Sequence, residues 1–177
     1  MKSIKLNNGK EFGGQSPVLI VAEIGLCHNG DSERAMDMIK QAVEAGADAV
    51  KFQKRDVDNL AISSVLDAED LRFPGFGKTY REIRKHIEFD LDTYKRLKKY
   101  ADDLGTAFFV SVFDIKSAEQ MAELGMPVLK IASHCLSNKP LIEKLTEIKL
   151  PVLLSTGMAY LEEVDETVNT LLKAGVE

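Results

Sequence analysis

The architecture of the sequence is clearest at a helix-to-strand junction, residues 45–53, which reads Ala45-Gly46-Ala47-Asp48-Ala49-Val50-Lys51-Phe52-Gln53. Gly46 is placed to end the preceding helical period, because glycine readily adopts the left-handed conformation that follows many helices. Residues 49–52 are mostly apolar, as expected of a parallel strand that is covered on both faces. A helix, a glycine and a short apolar run in this order are typical of a β/α repeat.

The same alternation recurs along the rest of the chain. Short apolar runs predict strands at residues 18–22, 49–52, 107–110, 127–131 and 151–154. The helix after the second strand is predicted to start at Asp90, since apolar residues follow it at helical spacing. Consecutive β/α units predict an α/β fold, either a barrel or an open doubly wound sheet. The segment from Gly25 to Gly30 lacks the GxGxxG spacing of dinucleotide-binding folds.

The composition excludes several classes of protein. The chain has 177 residues, 45% of them hydrophobic and 29% charged, which is enough for one sizeable core. Lysine and arginine total 23 against 28 for aspartate and glutamate, so the net charge is −5 and the basic footprint of a nucleic-acid binder is missing. No apolar run approaches the roughly 18–20 residues that span a bilayer, and no apolar signal region opens the chain.

The two cysteines, Cys27 and Cys135, form no CxxC pair, which indicates reduced intracellular thiols. We therefore expect a cytoplasmic protein that acts on small molecules, with no nucleic-acid or membrane partner.

Two segments stand outside the repeat. Residues 1–16 are predicted to form a small hairpin, since Asn8-Gly9 is a strong turn signal. Residues 54–89 are predicted to form a long loop after the second strand, and loops of this length are usually functional or disordered. A loop after a strand should overhang the carboxyl ends of the strands, where sites form in parallel α/β folds. Its mixture of glycine, aromatic and basic residues, Tyr80 among them, predicts an active-site loop.

Polar side chains follow every predicted strand, and this repetition is the strongest functional signal in the sequence. Parallel strands converge at their carboxyl ends, so these side chains should ring one pocket. They are Glu23 after the first strand, Lys51 and Gln53 on the second, Ser111 after the third, Lys130 and Ser133 on the fourth, and Ser155 after the fifth.

The two lysines of this set predict an anionic ligand. Lys51 and Gln53 share one face of their strand, because side chains alternate along a strand. A buried lysine needs a counter-charge, and Glu23 can neutralise only one of the pair. The remaining charge on Lys51 or Lys130 and the serine hydroxyls therefore predict a phosphate or carboxylate site. Alternatively, one lysine pairs with Glu23 while the other reaches solvent. Glu23 is either an acid or base or only an ion-pair partner.

The histidines and cysteines allow more than one interpretation. Cys27-His28 and His134-Cys135 follow the first and fourth strands, and together they could bind zinc. Adjacent ligands are not the usual zinc spacing. Separate roles are favoured, with His28 as a polar pocket residue or a structural histidine and the thiols as small buried hydrophobes. We assign His28, Tyr80 and Asn138, the last a predicted helix cap, to the substrate pocket.

Four segments occur in a distinctive order along the chain: Ala22-Glu23-Ile24-Gly25 with His28-Asn29-Gly30, the junction at residues 45–53, Lys130-Ile131-Ala132-Ser133, and Leu154-Ser155-Thr156-Gly157-Met158. In this order they resemble the sialic acid synthase family, and the resemblance extends from about Pro17 to the end of the chain. That family includes N-acetylneuraminate, legionaminate and pseudaminate synthases and spore-coat polysaccharide relatives.

The resemblance implies a TIM (β/α)8 barrel that condenses phosphoenolpyruvate with an N-acetylated hexosamine such as N-acetylmannosamine, with release of phosphate, in surface carbohydrate biosynthesis. It also implies a divalent metal, Mn²⁺ or Mg²⁺, whose ligands lie beyond residue 177, a further C-terminal domain, and a homodimer in the full-length protein. Glu23, Lys51 and Gln53 would be catalytic. The phosphoenolpyruvate-binding set would be Lys51, Ser111, Lys130, Ser133 and Ser155.

Some features depart from this pattern. Val112 stands where the family usually has proline, and Cys135 where some members have an acidic or small polar residue, so the resemblance does not extend to the acceptor sugar. The chain would hold the first five β/α units of a barrel, and we expect this piece alone to be unstable or associated through unpaired strand edges. Two other functions stay open: a class I aldolase with a Schiff base on Lys51 or Lys130, and a non-catalytic anion-binding module.

Overall fold

The predicted strands form one parallel sheet with helices between them in the computed structural model of the protein, which describes residues 3–177. Met1 and Lys2, the start of the predicted hairpin, lie outside these residues. The strands are β1 (Ile4–Lys5), β2 (Glu11–Phe12), β3 (Val21–Gly25), β4 (Ala49–Lys54), β5 (Ala107–Val112), β6 (Leu129–Ile131) and β7 (Val152–Leu154). The helices are α1 (Ser32–Glu44), α2 (Ser63–Leu66), α3 (Tyr80–Ile87), α4 (Leu91–Asp103), α5 (Ile115–Glu123), α6 (Lys139–Ile148) and α7 (Leu161–Lys173).

The order of the strands identifies the architecture. Strands β3 to β7 are hydrogen-bonded in chain order, each parallel to the next. A doubly wound sheet reverses its strand order at a switch point, whereas sequential parallel strands with intervening helices are the arrangement of a (β/α)8 barrel. The chain therefore forms five β/α units of the TIM-barrel type, which confirms the predicted fold class.

Side chains alternate between the two faces of the sheet, and each face has its own core. The outer face packs under the helices, with Val50, Phe52, Phe108 and Val110 fully buried. The inner face near the amino ends of the strands packs against the hairpin of β1 and β2, with Leu6, Ala49, Ala107 and Phe109 buried. Because the hairpin covers only this end, the polar inner residues collect at the opposite, carboxyl end of the strands.

The strand at each end of the sheet has one strand neighbour within residues 3–177. An apolar groove of 610 Å³ runs beside β7, between the hairpin and α7. Self-association of the isolated chain stays a prediction. No helix in this part of the chain is both long and apolar enough to cross a membrane.

The first strand of the sheet begins later than the apolar run suggested. Strand β3 starts at Val21, not at Val18, which is 83% exposed. The cause is Asp48, whose carboxylate accepts the N–H of Ile20 at 2.7 Å, while the Ile20 carbonyl accepts the N–H groups of Asp48 and Ala49. These bonds tie Ile20 to the turn before β4, so regular pairing begins one residue later.

The segment at residues 54–89 is partly helical, whereas the sequence predicted a long loop. Besides the short α2, it contains α3, which begins with a capping box. The Thr79 hydroxyl accepts the Glu82 N–H at 3.2 Å, and the Glu82 carboxylate accepts the Thr79 N–H at 3.3 Å. The T-x-x-E pattern that encodes this cap is visible in the sequence. The apolar period of α3 is only about two turns long, and that is why periodicity alone missed it.

Candidate active site

The carboxyl ends of the strands form a cleft of 280 Å³ that brings together Glu23, Lys51, Lys130 and Ser155. The register of the sheet explains the grouping. Glu23 lies opposite Lys51 on adjacent strands, and Lys130 lies opposite Ser111 on one side and Leu153 on the other. These side chains project from the same face of neighbouring strands, so residues far apart in sequence meet in one cleft.

Lys51 lies at the centre of the cleft and is only 3% exposed. Its Nζ is 2.8 Å from the Glu23 carboxylate and donates to the Ser111 hydroxyl at 2.9 Å. The Glu23 side chain is 63% exposed, so the ion pair joins a buried ammonium to a carboxylate that reaches water. An ammonium has three N–H donors, and these two contacts leave one for a ligand in the cleft.

Lys130 is the second cation of the cleft. Burial lowers the pKa of its ammonium below the ordinary value, and the positive charge of Lys51 lowers that pKa further, while Glu23 acts in the opposite direction. Glu23 thus pairs directly with Lys51 and acts on Lys130 only through its charge. An anion that enters the cleft would relieve the repulsion between Lys51 and Lys130 and would favour the charged form of Lys130.

The two loops that carry the remaining serines are in contact. Ser155 extends the pairing of β6 and β7, because its N–H donates to the Ile131 carbonyl at 3.1 Å. The Ser133 hydroxyl lies 3.2 Å from the place where a Cβ on Gly157 would stand. Hydroxyl donors from Ser133 and Ser155 thus lie at the same end of the sheet as the two lysines.

Arg55 is a buried cation beside Gln53 that the sequence pattern did not single out. Its side chain is 8% exposed, its Nη2 donates to the Gln53 Oε1 at 2.6 Å, and its guanidinium carbon lies 3.6 Å from the centre of the Phe113 ring. Residues 51, 53 and 55 follow the two-residue period of a strand. Extending that period one step past Gln53 would have pointed to Arg55.

The three residues assigned to the substrate pocket do not line the cleft of the two lysines. His28 is 1% exposed, and its ring stacks on Phe89 with centroids 4.1 Å apart. Tyr80 lines a separate cavity of 520 Å³ that also includes His134. Asn138 is exposed and caps α6, where its Oδ1 accepts the Leu141 N–H at 3.3 Å.

The segments Cys27-His28 and His134-Cys135 do not build a zinc site. Within residues 3–177, no group of three or more His, Cys, Asp or Glu side chains is placed to hold a metal ion. Cys135 is buried and Cys27 is exposed, and burial raises the pKa of the Cys135 thiol. The residues described here therefore do not fit a Mn²⁺ or Mg²⁺ site either, and the metal with ligands beyond residue 177 stays a prediction.

His28 is a buried, neutral histidine. Its Nδ1 accepts the Gly30 N–H at 3.1 Å, and its Nε2 has no partner of hydrogen-bonding geometry in residues 3–177. Burial lowers the pKa of His28 from 6.5 to about 4, and the nearby backbone of Gly25 offsets only part of this effect.

The lowered pKa of His28 predicts a loss of stability in mild acid. The unfolded chain takes up a proton at this residue as the pH falls from 6.5 to about 4, whereas the folded chain does not. The stabilisation is complete above pH 6.5, and its loss reaches about 3 kcal/mol below the folded pKa. Urea denaturation of wild type and His28→Phe across this range measures the effect. We expect a flatter profile for the variant, because phenylalanine stacks without titrating, and equally steep profiles would contradict this account.

A model of the NeuB family matches residues 38–177 of the chain. The N-acetylneuraminate-9-phosphate synthase of Drosophila melanogaster is 38% identical over 160 residues, which cover 90% of this chain and 43% of the relative. The N,N'-diacetyllegionaminic acid synthase of Campylobacter jejuni is 34% identical over 160 residues, which cover 90% of this chain and 48% of that enzyme. The chain thus spans about half the length of the curated relatives it matches.

A solved structure agrees with these sequence matches. The N-acetylneuraminic acid (sialic acid) synthetase of Leptospira borgpetersenii, crystallised in complex with citrate, aligns with a TM-score of 0.81 and 31% identity. The alignment covers 98% of this chain and 56% of that one. With the strand order and the family match in agreement, this chain belongs to the NeuB family, the family of the sialic acid synthases.

Proposed function

We propose that the protein containing this chain condenses phosphoenolpyruvate with an N-acetylated hexosamine such as N-acetylmannosamine, forming a nonulosonic acid and releasing phosphate. The observation that carries the proposal is the placement of Lys51 and Lys130 around a single carboxylate at the carboxyl ends of the strands. The names of the relatives support an enzyme of sialic or legionaminic acid synthesis.

Phosphoenolpyruvate suits the charge of the cleft. It carries a phosphate and a carboxylate, and two ammonium groups with several hydroxyl donors can bind both. Lys51 offers its third N–H, and Lys130 offers an ammonium whose charge an anion would stabilise. Citrate, the ligand of the Leptospira relative, is likewise a small polyanion. The Ser111 hydroxyl accepts a hydrogen bond from Lys51 at 2.9 Å and keeps its own O–H to donate to the ligand.

The reaction joins the methylene carbon of phosphoenolpyruvate to the aldehyde carbon of the sugar, adds water at the enol carbon and expels phosphate. Lys51 and Lys130 would orient the phosphoenolpyruvate and stabilise negative charge, while Glu23 and Gln53 would face the sugar and the reacting carbons. Holding two reactants in one orientation supplies much of the rate gain of such a step. The divalent metal, the homodimer and the cytoplasmic location belong to this proposal as predictions.

A phosphate-release assay tests the proposal. The complete gene product is given phosphoenolpyruvate, Mn²⁺ or Mg²⁺, and a panel of N-acetyl hexosamines with and without a 6-phosphate. We expect phosphate release that depends on one of the sugars, while residues 1–177 alone should bind phosphoenolpyruvate weakly or not at all. Failure with every sugar would contradict the enzymatic proposal, and binding without turnover would favour a non-catalytic anion-binding module.

One observation favours a second candidate, a class I aldolase. A lysine with a lowered pKa, as at Lys130, is more often a free amine and can form a Schiff base with a keto substrate. Borohydride treatment with pyruvate, followed by mass spectrometry, separates the two chemistries. We expect no pyruvate adduct, and an adduct on Lys51 or Lys130 would support the aldolase.

A further inference from the structure

We infer that Arg55 is a positioning residue for the acceptor subsite: it turns the Gln53 side chain so that the amide NH₂ group faces the end of β3, ready to bind an oxygen atom of the acceptor. The inference deepens the proposed function and rests on it for the chemical class of the acceptor, an N-acetylated sugar whose hydroxyl and carbonyl oxygens accept hydrogen bonds.

The chemistry of the two side chains fixes the orientation of the amide. A guanidinium can only donate hydrogen bonds, so the atom of Gln53 that lies 2.6 Å from the Arg55 Nη2 must be the amide oxygen. The amide nitrogen is then forced to the other side. There it lies 3.3 Å from the place where a Cβ on Gly25 would stand.

Gly25 makes room for this NH₂ group at the end of β3. Its φ of +58° suits glycine, and any side chain there would press against the Gln53 amide. Glu23 lies two residues before Gly25, and Lys51 lies two residues before Gln53 on the same face of β4. The NH₂ donor therefore stands directly beyond the Glu23–Lys51 pair, where a second reactant would meet the first.

Stability alone does not account for Arg55. Within residues 3–177 its buried guanidinium forms no ion pair, and its Nη1 has no hydrogen-bond partner. Burial lowers the pKa of Arg55 and the charge of Arg84 lowers it further, while the charge of Glu88, which is paired with Lys54, raises it. The Phe113 ring at 3.6 Å offsets only part of the cost of burying a cation. A buried, unpaired cation that is nevertheless aimed at a site residue points to a role in binding.

The backbone around Arg55 is held independently of its guanidinium. The Lys54 Nζ is 3.0 Å from the Glu88 carboxylate and donates to the Arg55 carbonyl at 3.0 Å. The Tyr94 hydroxyl donates to the Gln53 carbonyl. A change in the Arg55 side chain should therefore release the Gln53 amide and leave the end of β4 in place.

Variants of the complete gene product test the inference. In Arg55→Met we expect the KM of the acceptor sugar to rise about tenfold, because a positioned hydrogen bond is lost, with the KM of phosphoenolpyruvate unchanged to within about twofold. The melting temperature should stay the same or rise, since an apolar side chain replaces a buried unpaired cation. Arg55→Lys should restore part of the sugar affinity. Arg96→Met, at an exposed position of α4, is the control that should change nothing.

A purely structural Arg55 gives the opposite pattern, with a lower melting temperature and an unchanged KM for the sugar, and that result would overturn the inference.

A second measurement does not depend on activity. In wild type, the Gln53 amide protons should show a nuclear Overhauser effect to the Gly25 α protons, and this signal should disappear in Arg55→Met. If no sugar is turned over but the signal behaves in this way, the proposed function fails and the positioning role stands. An unchanged signal in the variant would overturn the positioning role itself.

Discussion

Replacing either Lys51 or Lys130 by methionine should lower kcat/KM for phosphoenolpyruvate by about 100-fold or more in the complete gene product. Each lysine would form a buried, hydrogen-bonded charge pair with phosphoenolpyruvate, and truncating one partner of such a pair costs about 2–5 kcal/mol. Each variant removes one of the two cations that line the cleft with Glu23. Methionine nearly matches lysine in length and fills the same space.

The fold should survive both changes. Glu23 loses its partner in Lys51→Met, but its side chain is 63% exposed and water can solvate it. In Lys130→Met a lysine with a lowered pKa is replaced by an uncharged group, which removes a repulsion. Phosphate release and thermal melting are measured together. The matched control is Lys99→Met, because Lys99 forms an exposed ion pair with Asp103 on α4. Near-normal kinetics in both site variants would show that the cleft does not bind phosphoenolpyruvate.

The second large effect concerns stability. Gly30→Ala should lower the free energy of unfolding by about 3–5 kcal/mol, whereas Gly105→Ala should lower it by about 1–2 kcal/mol. Both glycines have positive φ, +82° and +74°, so the strain of a left-handed alanine is common to the two variants. They differ in the space available. A Cβ on Gly30 would stand 2.3 Å from the carbonyl oxygen of His86, and nothing lies within 4 Å at Gly105.

The contact at Gly30 joins the loop after β3 to α3, so the two elements cannot separate to admit a methyl group without moving the loop that carries His28. Urea denaturation of wild type and the two variants compares their free energies of unfolding. Equal losses in the two variants would show that the close approach of Gly30 to the His86 carbonyl does not restrict the fold.

Much of the inner face could be predicted from the sequence because a strand has a strict two-residue period. Lys51 and Gln53 had to share a face, and the carboxyl ends of parallel strands had to converge, so the meeting of Glu23, Lys51, Lys130 and Ser155 was predictable. The choice between a barrel and an open sheet could not be predicted from the pattern, because strand order depends on long-range pairing that local periodicity does not encode. Only the family resemblance indicated the barrel.

The predictions that failed have identifiable physical causes. His28 is polar and follows β3, yet it lies inside an aromatic stack, because its neighbours Phe52 and Phe89 come from other parts of the chain. Val18 was predicted to lie in the first strand. The Asp48 carboxylate accepts the Ile20 N–H, however, and the strand begins at Val21. Arg55 lies three residues beyond the predicted strand, which ends at Phe52, and so was counted as part of the loop. Each case depends on the boundary of a strand or on a tertiary contact with a residue at least 24 positions away, and neither is visible in a single segment.

A crystal structure of the complete gene product with phosphoenolpyruvate bound would show directly whether the cleft of Lys51 and Lys130 is the phosphoenolpyruvate site. We predict phosphate or carboxylate oxygens at hydrogen-bonding distance, about 2.7–3.2 Å, from the Nζ atoms of both Lys51 and Lys130, with no covalent bond to either. Phosphoenolpyruvate bound away from both lysines, or joined covalently to one of them, would contradict the account.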